Sequence, residues 1–207
     1  MKFILIDTET TGLCGYPDDL VLDIGAVIVD LDRKTVEPFY SSVLGYHVDS
    51  WPKRLCDSWI FSNSDLTLEM IRVAPDWYDV VREFSEKLFL TGLPMTSFNV
   101  AYDFGKFLNY APWNLRYYPK LPCVMLAAAE YLKIPGAYGD YKWPKLEEAY
   151  AELCPDDPAD ISEGQDHRAL SDAIAAGYVA IGLHKKGFFV NPVAETDTVN
   201  SSEEACP

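Results

Sequence analysis

The chain begins with an apolar run that leads directly into acidic residues. Asp7 follows the sequence Phe-Ile-Leu-Ile at positions 3–6, and a second acid follows at Glu9. A short, continuous run of large apolar residues is typical of a strand that is covered on both faces. Residues two apart on a strand face the same side, so both carboxylates should project into one space. Residues 3–8 therefore predict a buried central strand that ends in a pair of acids.

Further strands follow along the chain. Residues 20–30 and 36–43 are rich in apolar residues, and the polar residues between them favour a turn. With the first strand they predict an antiparallel meander, and a fourth strand is predicted at 94–100. Strands followed by strand–helix units are typical of an α/β domain with a mixed sheet.

Beyond Leu66 the apolar residues recur with helical spacing. The first clear helix follows Asp76, a predicted N-cap, and buries a stripe of residues: Trp77, Val80, Val81, Phe84 and Leu88. Further helices are predicted from Asp103 to about Tyr110, at 123–133 and at 145–153. A final helix begins near Leu170 and ends in basic residues just before Gly187.

The acidic pair at the end of the first strand has two interpretations. Two like charges that lie close together destabilise a protein unless something neutralises them, and a divalent cation commonly does so. Alternatively, Asp7 is an ordinary acid at the carboxyl end of a strand and Glu9 is simply solvated. The pair alone does not separate a metal site from this structural reading.

Two later positions favour the metal site. Asp103 follows the fourth predicted strand, although on its own it would suit a helix N-cap equally well. Asp172 lies in the first turns of an apolar helix, where aspartate is a poor helix former. His167 precedes Asp172 by five residues and lies beside other titratable groups, whereas His47 and His184 are placed in a loop and at a helix end.

Taken together, Asp7-x-Glu9, Asp103 and His167-x4-Asp172 resemble the three motifs of the DEDD exonuclease superfamily, in its histidine branch. That branch includes exonuclease X and the proofreading epsilon subunit of bacterial DNA polymerase III. The resemblance covers roughly residues 1–186, with full matches at DTETTGL (7–13) and HRALSDA (167–173). In the second motif this chain has Phe98 and Tyr102 where the superfamily usually has His and Phe.

The resemblance implies both a fold and a catalytic apparatus. The fold is ribonuclease H-like, with antiparallel strands 1–3 plus parallel strands in a mixed central sheet flanked by helices. Two Mg²⁺ or Mn²⁺ ions would be held by four carboxylates: Asp7, Glu9, Asp103 and Asp172. His167 would be the general base that takes a proton from the attacking water, a role that suits a group titrating near about 6.5.

The resemblance also implies substrate contacts. Thr10, Thr11 and Leu13 stand where family members bind the terminal 3′-hydroxyl through backbone amides and wedge the last base with an apolar side chain. Asn99 of the second motif is a further candidate for substrate binding.

The expected function is a metal-dependent 3′→5′ exonuclease that releases nucleoside 5′-monophosphates. Single-stranded DNA is the first choice of substrate, and an exoribonuclease or oligoribonuclease-like enzyme is the alternative. A haloacid dehalogenase-type phosphatase also places two acids after its first strand, but here the second acid is Glu9 and no downstream Lys with an Asp-Asp pair is evident. An inactive nucleic-acid-binding module is disfavoured because all five catalytic positions are filled.

The chain is strongly acidic. Seventeen basic and 32 acidic residues give a net charge of −15, which repels nucleic acid at long range. Nine of the acids lie in two tracts that contain no basic residue, 156–166 and 191–207, so the remainder carries −6. Global charge is therefore weak evidence against a local nucleotide site.

The same pattern predicts domain limits and location. We expect an exonuclease domain over residues 1–187 and an acidic, disordered tail over 188–207 that could contact a protein partner. The apolar run from Ala173 to Leu183 has eleven residues, whereas a membrane span needs about 20. Five scattered cysteines without a Cys-x-x-Cys motif fit small buried hydrophobes in a reducing cytoplasm, so we predict a cytoplasmic protein.

Overall fold

The computed structural model describes residues 1–137, 140–155 and 168–190. Within these residues one sheet has the order β3–β2–β1–β4. Its strands are β1 (Lys2–Thr10), β2 (Val21–Asp30), β3 (Thr35–Val43) and β4 (Met95–Thr96). β1, β2 and β3 form an antiparallel meander, and β4 lies parallel to β1. The predicted mixed sheet is confirmed.

β1 lies in the middle of the sheet and is covered on both faces, as its apolar run predicts. Phe3 and Leu5 pack into one core cluster, whereas Ile4 and Ile6 pack into another on the opposite face. All four side chains are 0% exposed. This alternation decides which face the acidic residues at the end of the strand will occupy.

The segment between β3 and the first long helix forms short helices that the sequence pattern did not reveal. A 3₁₀ turn at Val48–Ser50 precedes α1 (Lys53–Cys56), α2 (Ile60–Asn63) and α3 (Leu68–Val73). The segment packs around a small apolar cluster that also includes Leu22 of β2: Leu22, Val48, Ile60, Leu66 and Ile71. Each helix is too short to show a clear apolar period, so tertiary packing rather than local pattern defines them.

The longer helices match the predictions closely. α4 (Trp77–Thr91) begins at Asp76, whose side chain accepts a hydrogen bond from the Tyr78 amide. α5 (Val100–Tyr102) continues into a π-helical turn at Asp103–Leu108. α6 (Val124–Leu132), α7 (Leu146–Leu153) and α8 (Ala169–Lys185) follow. α8 packs against β1, β2 and β3 and covers one face of the sheet, with α7 beside it.

The predicted fourth strand at 94–100 is wrong in length, because β4 contains only Met95 and Thr96. The carbonyl oxygens of Ser97 and Phe98 accept hydrogen bonds from amides at the start of α6 instead of from a neighbouring strand. Asn99 then caps α5, so the helix begins before Asp103 rather than at it. Hydrogen bonding to α6 therefore takes the chain out of the sheet directly after Thr96.

Two predictions about burial and membrane character can be compared with the structure. No helix in the described ranges is long and apolar enough to cross a bilayer. The expectation that the cysteines are buried is wrong for Cys14, which is exposed, and only partly right for Cys56, Cys123 and Cys154, which are half-buried. Cys206 lies outside the described residues.

Candidate active site

The acids at the end of β1 project toward α8. Phe3 and Leu5 face the core cluster that contains the α8 side chains, and Asp7 and Glu9 continue the same alternation along the strand. The pairing register places Asp7 opposite Gly25 and Glu9 opposite Asp23 on β2. The site is therefore built between the end of β1, the middle of β2 and the start of α8.

A glycine and a buried carboxylate on β2 position the first turn of α8. A Cβ atom on Gly25 would lie 2.2 Å from the carbonyl carbon of Ala169, so only glycine lets the helix approach this closely. The Asp23 Oδ2 atom accepts hydrogen bonds from the Arg168 Nε atom at 2.7 Å and the Ala169 amide at 3.3 Å. The packing at Gly25 and the hydrogen bonds to Asp23 bring Asp172, one turn into α8, over the end of β1.

Three carboxylates converge at this point. Asp7, Glu9 and Asp172 each offer an oxygen atom, and these atoms all lie within 4.8 Å of one another. Asp103 lines the same cavity from the π-helical turn, and its Oδ1 atom accepts a hydrogen bond from the Thr8 hydroxyl at 2.7 Å. The cavity has a volume of about 320 Å³ and is lined by Asp7, Thr8, Glu9, Phe98, Asn99, Tyr102, Asp103, Lys145, Leu146, Glu147 and Asp172.

Burial and mutual repulsion make these carboxylates unusually basic. Burial, followed by the charges of Asp103 and Asp172, raises the pKa of Asp7 well above its ordinary value. Burial and the neighbouring acids raise the pKa of Glu9 to about 9. Burial also raises the pKa of Asp103 to about 6, although the hydrogen bond from the Thr8 hydroxyl opposes it.

The donor set fits a hard divalent cation. It consists of carboxylate oxygens, the ligands that Mg²⁺ and Mn²⁺ prefer. A bound cation would also relieve the repulsion that raises the pKa values of Asp7 and Glu9. Among the described residues this is the group whose carboxylates come close enough together to share an ion.

Three of the predicted substrate contacts, Thr10, Thr11 and Leu13, lie at the end of β1 and in the turn that follows it. Thr10 ends β1 at a register irregularity, and its hydroxyl donates to the Gly12 carbonyl oxygen at 3.0 Å. Thr11 is buried, whereas the Leu13 side chain is 73% exposed beyond the turn. The Leu13 side chain is therefore accessible to solvent.

Tyr102 connects this turn to the second motif. Its hydroxyl donates to the Gly12 carbonyl oxygen at 3.0 Å and also contacts the Thr10 hydroxyl. Burial raises the pKa of Tyr102 to about 12, so it stays a neutral donor. Asn99 lines the cavity, but its side-chain oxygen is engaged by the Tyr102 amide at 3.2 Å.

His167 lies outside the described residues. The next residue, Arg168, is held by Asp23, a residue that the sequence analysis did not single out. The available signal was an aspartate followed two residues later by glycine inside an otherwise apolar strand. Lys145, the residue just before α7, also lines the cavity, and its backbone amide donates a hydrogen bond to the Glu148 Oε2 atom at 2.9 Å.

Comparisons with known proteins show what this chain is similar to. The exonuclease family model of the ribonuclease T type matches residues 4–180. An uncharacterised exonuclease of Escherichia phage 186 is 28% identical over 185 residues, which cover 82% of this chain and 81% of the phage protein.

Two solved structures illustrate the likeness in fold. The nuclease domain of 3′hExo, a DEDDh family member bound to rAMP, aligns with a TM-score of 0.63 and 16% identity over 90% of this chain and 92% of that one. Escherichia coli exonuclease I in complex with a dT13 oligonucleotide aligns with a TM-score of 0.58 and 16% identity. That alignment covers 87% of this chain but only 40% of exonuclease I.

Proposed function

The chain belongs to this exonuclease family. On that basis we propose that it is a divalent-metal-dependent 3′→5′ exonuclease whose preferred substrate is single-stranded DNA. The observation that carries the proposal is the convergence of Asp7, Glu9 and Asp172 within 4.8 Å, with Asp103 in the same cavity. Family membership identifies the reaction as exonucleolytic hydrolysis rather than the phosphatase reaction considered from the sequence.

The proposed roles follow from where the side chains lie. Asp7, Glu9, Asp103 and Asp172 would hold a pair of Mg²⁺ or Mn²⁺ ions. When bound, such ions supply Lewis acidity and neutralise charge on the phosphoryl oxygens. Lys145 contributes a positive charge at the cavity wall, suited to a substrate phosphate.

The chain's own residues bind the strand and move the proton. Leu13 would pack against the terminal base, with the backbone amides after β1 near the 3′-hydroxyl. His167 is proposed as the general base that accepts the proton of the attacking water. The sugar preference rests on likeness alone, because one solved relative holds dT13 and another holds rAMP. RNA therefore remains the alternative substrate.

End-labelled substrates test the proposal directly. Matched 5′-labelled DNA and RNA strands, linear and circular, are incubated with Mg²⁺, Mn²⁺ or EDTA. We expect stepwise shortening of linear single-stranded DNA from its 3′ end, no reaction in EDTA and survival of the circles. Cutting of circles at the linear rate would indicate an endonuclease, and intact strands in Mn²⁺ would indicate an inactive binding module.

Two variants separate the proposed roles. Asp103→Asn weakens a ligand, so activity and metal-induced stabilisation should fall together. His167→Ala should retain metal and oligonucleotide binding while turnover falls by the ~10²–10⁴-fold typical of a lost general base. Near-normal turnover in His167→Ala, or a loss of metal binding equal to that of Asp103→Asn, would exclude His167 as the base.

A further inference from the structure

The turn that follows β1 rests on a buried carboxylate outside the family motifs. We call residues 11–15 the terminal loop. The Asp19 side chain is only 3% exposed. Its Oδ2 atom accepts the Cys14 amide at 2.8 Å, and its Oδ1 atom accepts the Thr11 hydroxyl at 3.2 Å and the Arg54 Nη1 atom at 3.1 Å. Asp19 therefore anchors the terminal loop through two of its residues, Thr11 and Cys14.

These contacts keep Asp19 ionised. Burial alone would raise its pKa, but hydrogen bonds from Cys14, Arg54 and Thr11, together with the Arg54 charge, hold the pKa below its ordinary value. A carboxylate in this state is purely an acceptor, and its hydrogen bonds are stronger than those between neutral groups.

The loop is closely fitted to this carboxylate. A Cβ atom on Gly12 would lie 2.8 Å from both oxygen atoms of Asp19. The Thr11 amide donates to the Leu20 carbonyl oxygen at 3.0 Å, and the Leu20 amide donates to the Thr11 hydroxyl at 2.9 Å. Thr11 and Gly12 are thus held against Asp19–Leu20 by backbone as well as side-chain contacts.

The other side of the terminal loop is held by the π-helical turn. The Tyr16 amide donates to the Lys106 carbonyl oxygen at 3.0 Å, and the Lys106 ammonium group donates to the Leu13 carbonyl oxygen. The backbone of Leu13 is therefore fixed while its side chain projects into solvent. A contact group fixed before it meets its ligand loses less entropy on binding.

Arg54 connects this support to the segment between β3 and α4. It lies on α1, where the neighbouring Leu55 is buried, and it also donates to the Asp18 carbonyl oxygen. Its side chain is 54% exposed, so it contributes less than a buried charge would. The short helices that the sequence pattern did not reveal thereby reach the substrate end of the site.

We propose that Asp19 and Arg54 are positioning residues that set how tightly the enzyme holds the 3′-terminal nucleotide. They act through Thr11 and Leu13, and the contacts described above join them to each other, to the terminal loop and to the Asp18 carbonyl oxygen. The inference rests on the proposed function. Removing the hydrogen bonds of Asp19 or Arg54 should raise KM and weaken the preference for a 3′-hydroxyl over a 3′-phosphate end. The value of kcat at saturating substrate should change little.

Four variants of the full chain test this proposal: Asp19→Asn, Arg54→Gln, Arg54→Lys and the control Arg72→Gln. Arg72 lies on α3 in the same segment, is 44% exposed and pairs with Asp49 and Glu69 rather than with the terminal loop. In saturating Mn²⁺, kcat and KM are measured with 5′-labelled oligonucleotides that end in 3′-hydroxyl or 3′-phosphate. Thermal melts verify that all four variants fold.

We expect Arg54→Gln to raise KM for the 3′-hydroxyl strand roughly 5-fold, the effect of losing one partly exposed charged hydrogen bond. Asp19→Asn should raise it more, because it affects Thr11 and Cys14 directly, and Arg54→Lys should restore part of the loss. Arg72→Gln should match the wild type. Equal KM values for Arg54→Gln and Arg72→Gln would overturn the proposal.

A double substitution distinguishes positioning from general support of the fold. If Arg54 acts through the terminal loop, Arg54→Gln should add little once Leu13→Ala has removed the contact side chain. Equal fold-changes in both backgrounds would overturn the positioning role. If the wild-type enzyme instead cuts circular strands as fast as linear ones, the proposed function is refuted. The two failures are therefore distinguishable.

Discussion

The buried carboxylates at the end of β1 bind protons more strongly than free carboxylates do. The pKa of Glu9 rises from 4.5 to about 9, mainly through burial. Between those two values the folded protein binds more protons than the unfolded chain, so the metal-free protein should lose stability as the pH rises. The slope is at most about 1.4 kcal/mol per pH unit for one such group.

Urea unfolding in EDTA between pH 5 and pH 9 measures this effect. Glu9→Gln should flatten the decline, whereas Glu86→Gln, which changes an exposed glutamate on α4, should leave it unchanged. Mg²⁺ or Mn²⁺ should raise the wild-type melting temperature most at high pH. A slope in Glu9→Gln equal to that of the wild type would contradict the raised pKa.

Trp143 is an exposed aromatic residue close in the chain to the cavity wall, and we expect it to stack a base. Its side chain is 66% exposed and it lies two residues before Lys145 of the cavity wall, whereas the Trp113 side chain is only 5% exposed. Stacking contributes roughly 1–3 kcal/mol per base. Trp143→Ala should therefore weaken oligonucleotide binding about 5-fold or more.

Fluorescence anisotropy with a labelled oligonucleotide in Ca²⁺, without turnover, provides the measurement. Trp59→Ala is the matched control, because Trp59 is 62% exposed but lies at the start of α2. Equal affinities of the two variants would exclude a stacking role for Trp143.

At the scale of elements, the approach of α8 to β2 decides whether the site exists. The Cβ contact at Gly25 is with backbone atoms of Ala169 and Leu170, so no side-chain rotation can relieve it. Gly25→Ala should cost at least about 1–3 kcal/mol, as for overpacked cores. It should also displace Asp172 and so reduce the thermal shift caused by metal ions.

Gly105→Ala is the matched control for this substitution. The nearest atom to a Cβ there, the Val100 carbonyl oxygen, lies 3.7 Å away, an ordinary contact. Urea unfolding with and without Mn²⁺ should show a large effect at Gly25 and a change within about 1 kcal/mol at Gly105. Normal stabilisation by metal ions in Gly25→Ala would show that the position of α8 does not depend on the close approach at Gly25.

At the scale of the whole molecule, packing extends past the boundary that the sequence predicts at residue 187. Phe189, two residues past the predicted boundary at 187, is 1% exposed and packs against Phe3 with ring centroids 5.7 Å apart. A deletion that tests the predicted acidic tail should therefore begin at Asn191.

Deleting residues 191–207 should leave the fold and metal binding intact. It removes four of the 32 acidic residues, so activity on DNA should rise modestly at low salt. The gain should disappear at high ionic strength, where charges are screened. Melting curves and rates at low and high salt test this, and an unfolded deletion variant would show that the segment packs on the domain. A protein partner for this segment and a cytoplasmic location stay predictions.

Local pattern determined much of this protein. The apolar run before Asp7 specifies a central strand, because a strand covered on both faces needs large apolar residues on both. The period of α4 and α8, with Asp76 as a cap, specifies those helices. Ordered motifs around Asp103 and Asp172 identify the family that residues 4–180 match.

Only the tertiary structure decided what lies beneath those motifs. Asp19 and Asp23 look like isolated acids in the sequence, since their partners Arg54 and Arg168 lie 35 and 145 positions away. β4 is short because hydrogen bonds to α6 replace those of the sheet, and α1–α3 are too short to carry a period. Periodicity and motifs report local geometry and chemistry, whereas the support of a site depends on contacts between distant segments, which no local pattern encodes.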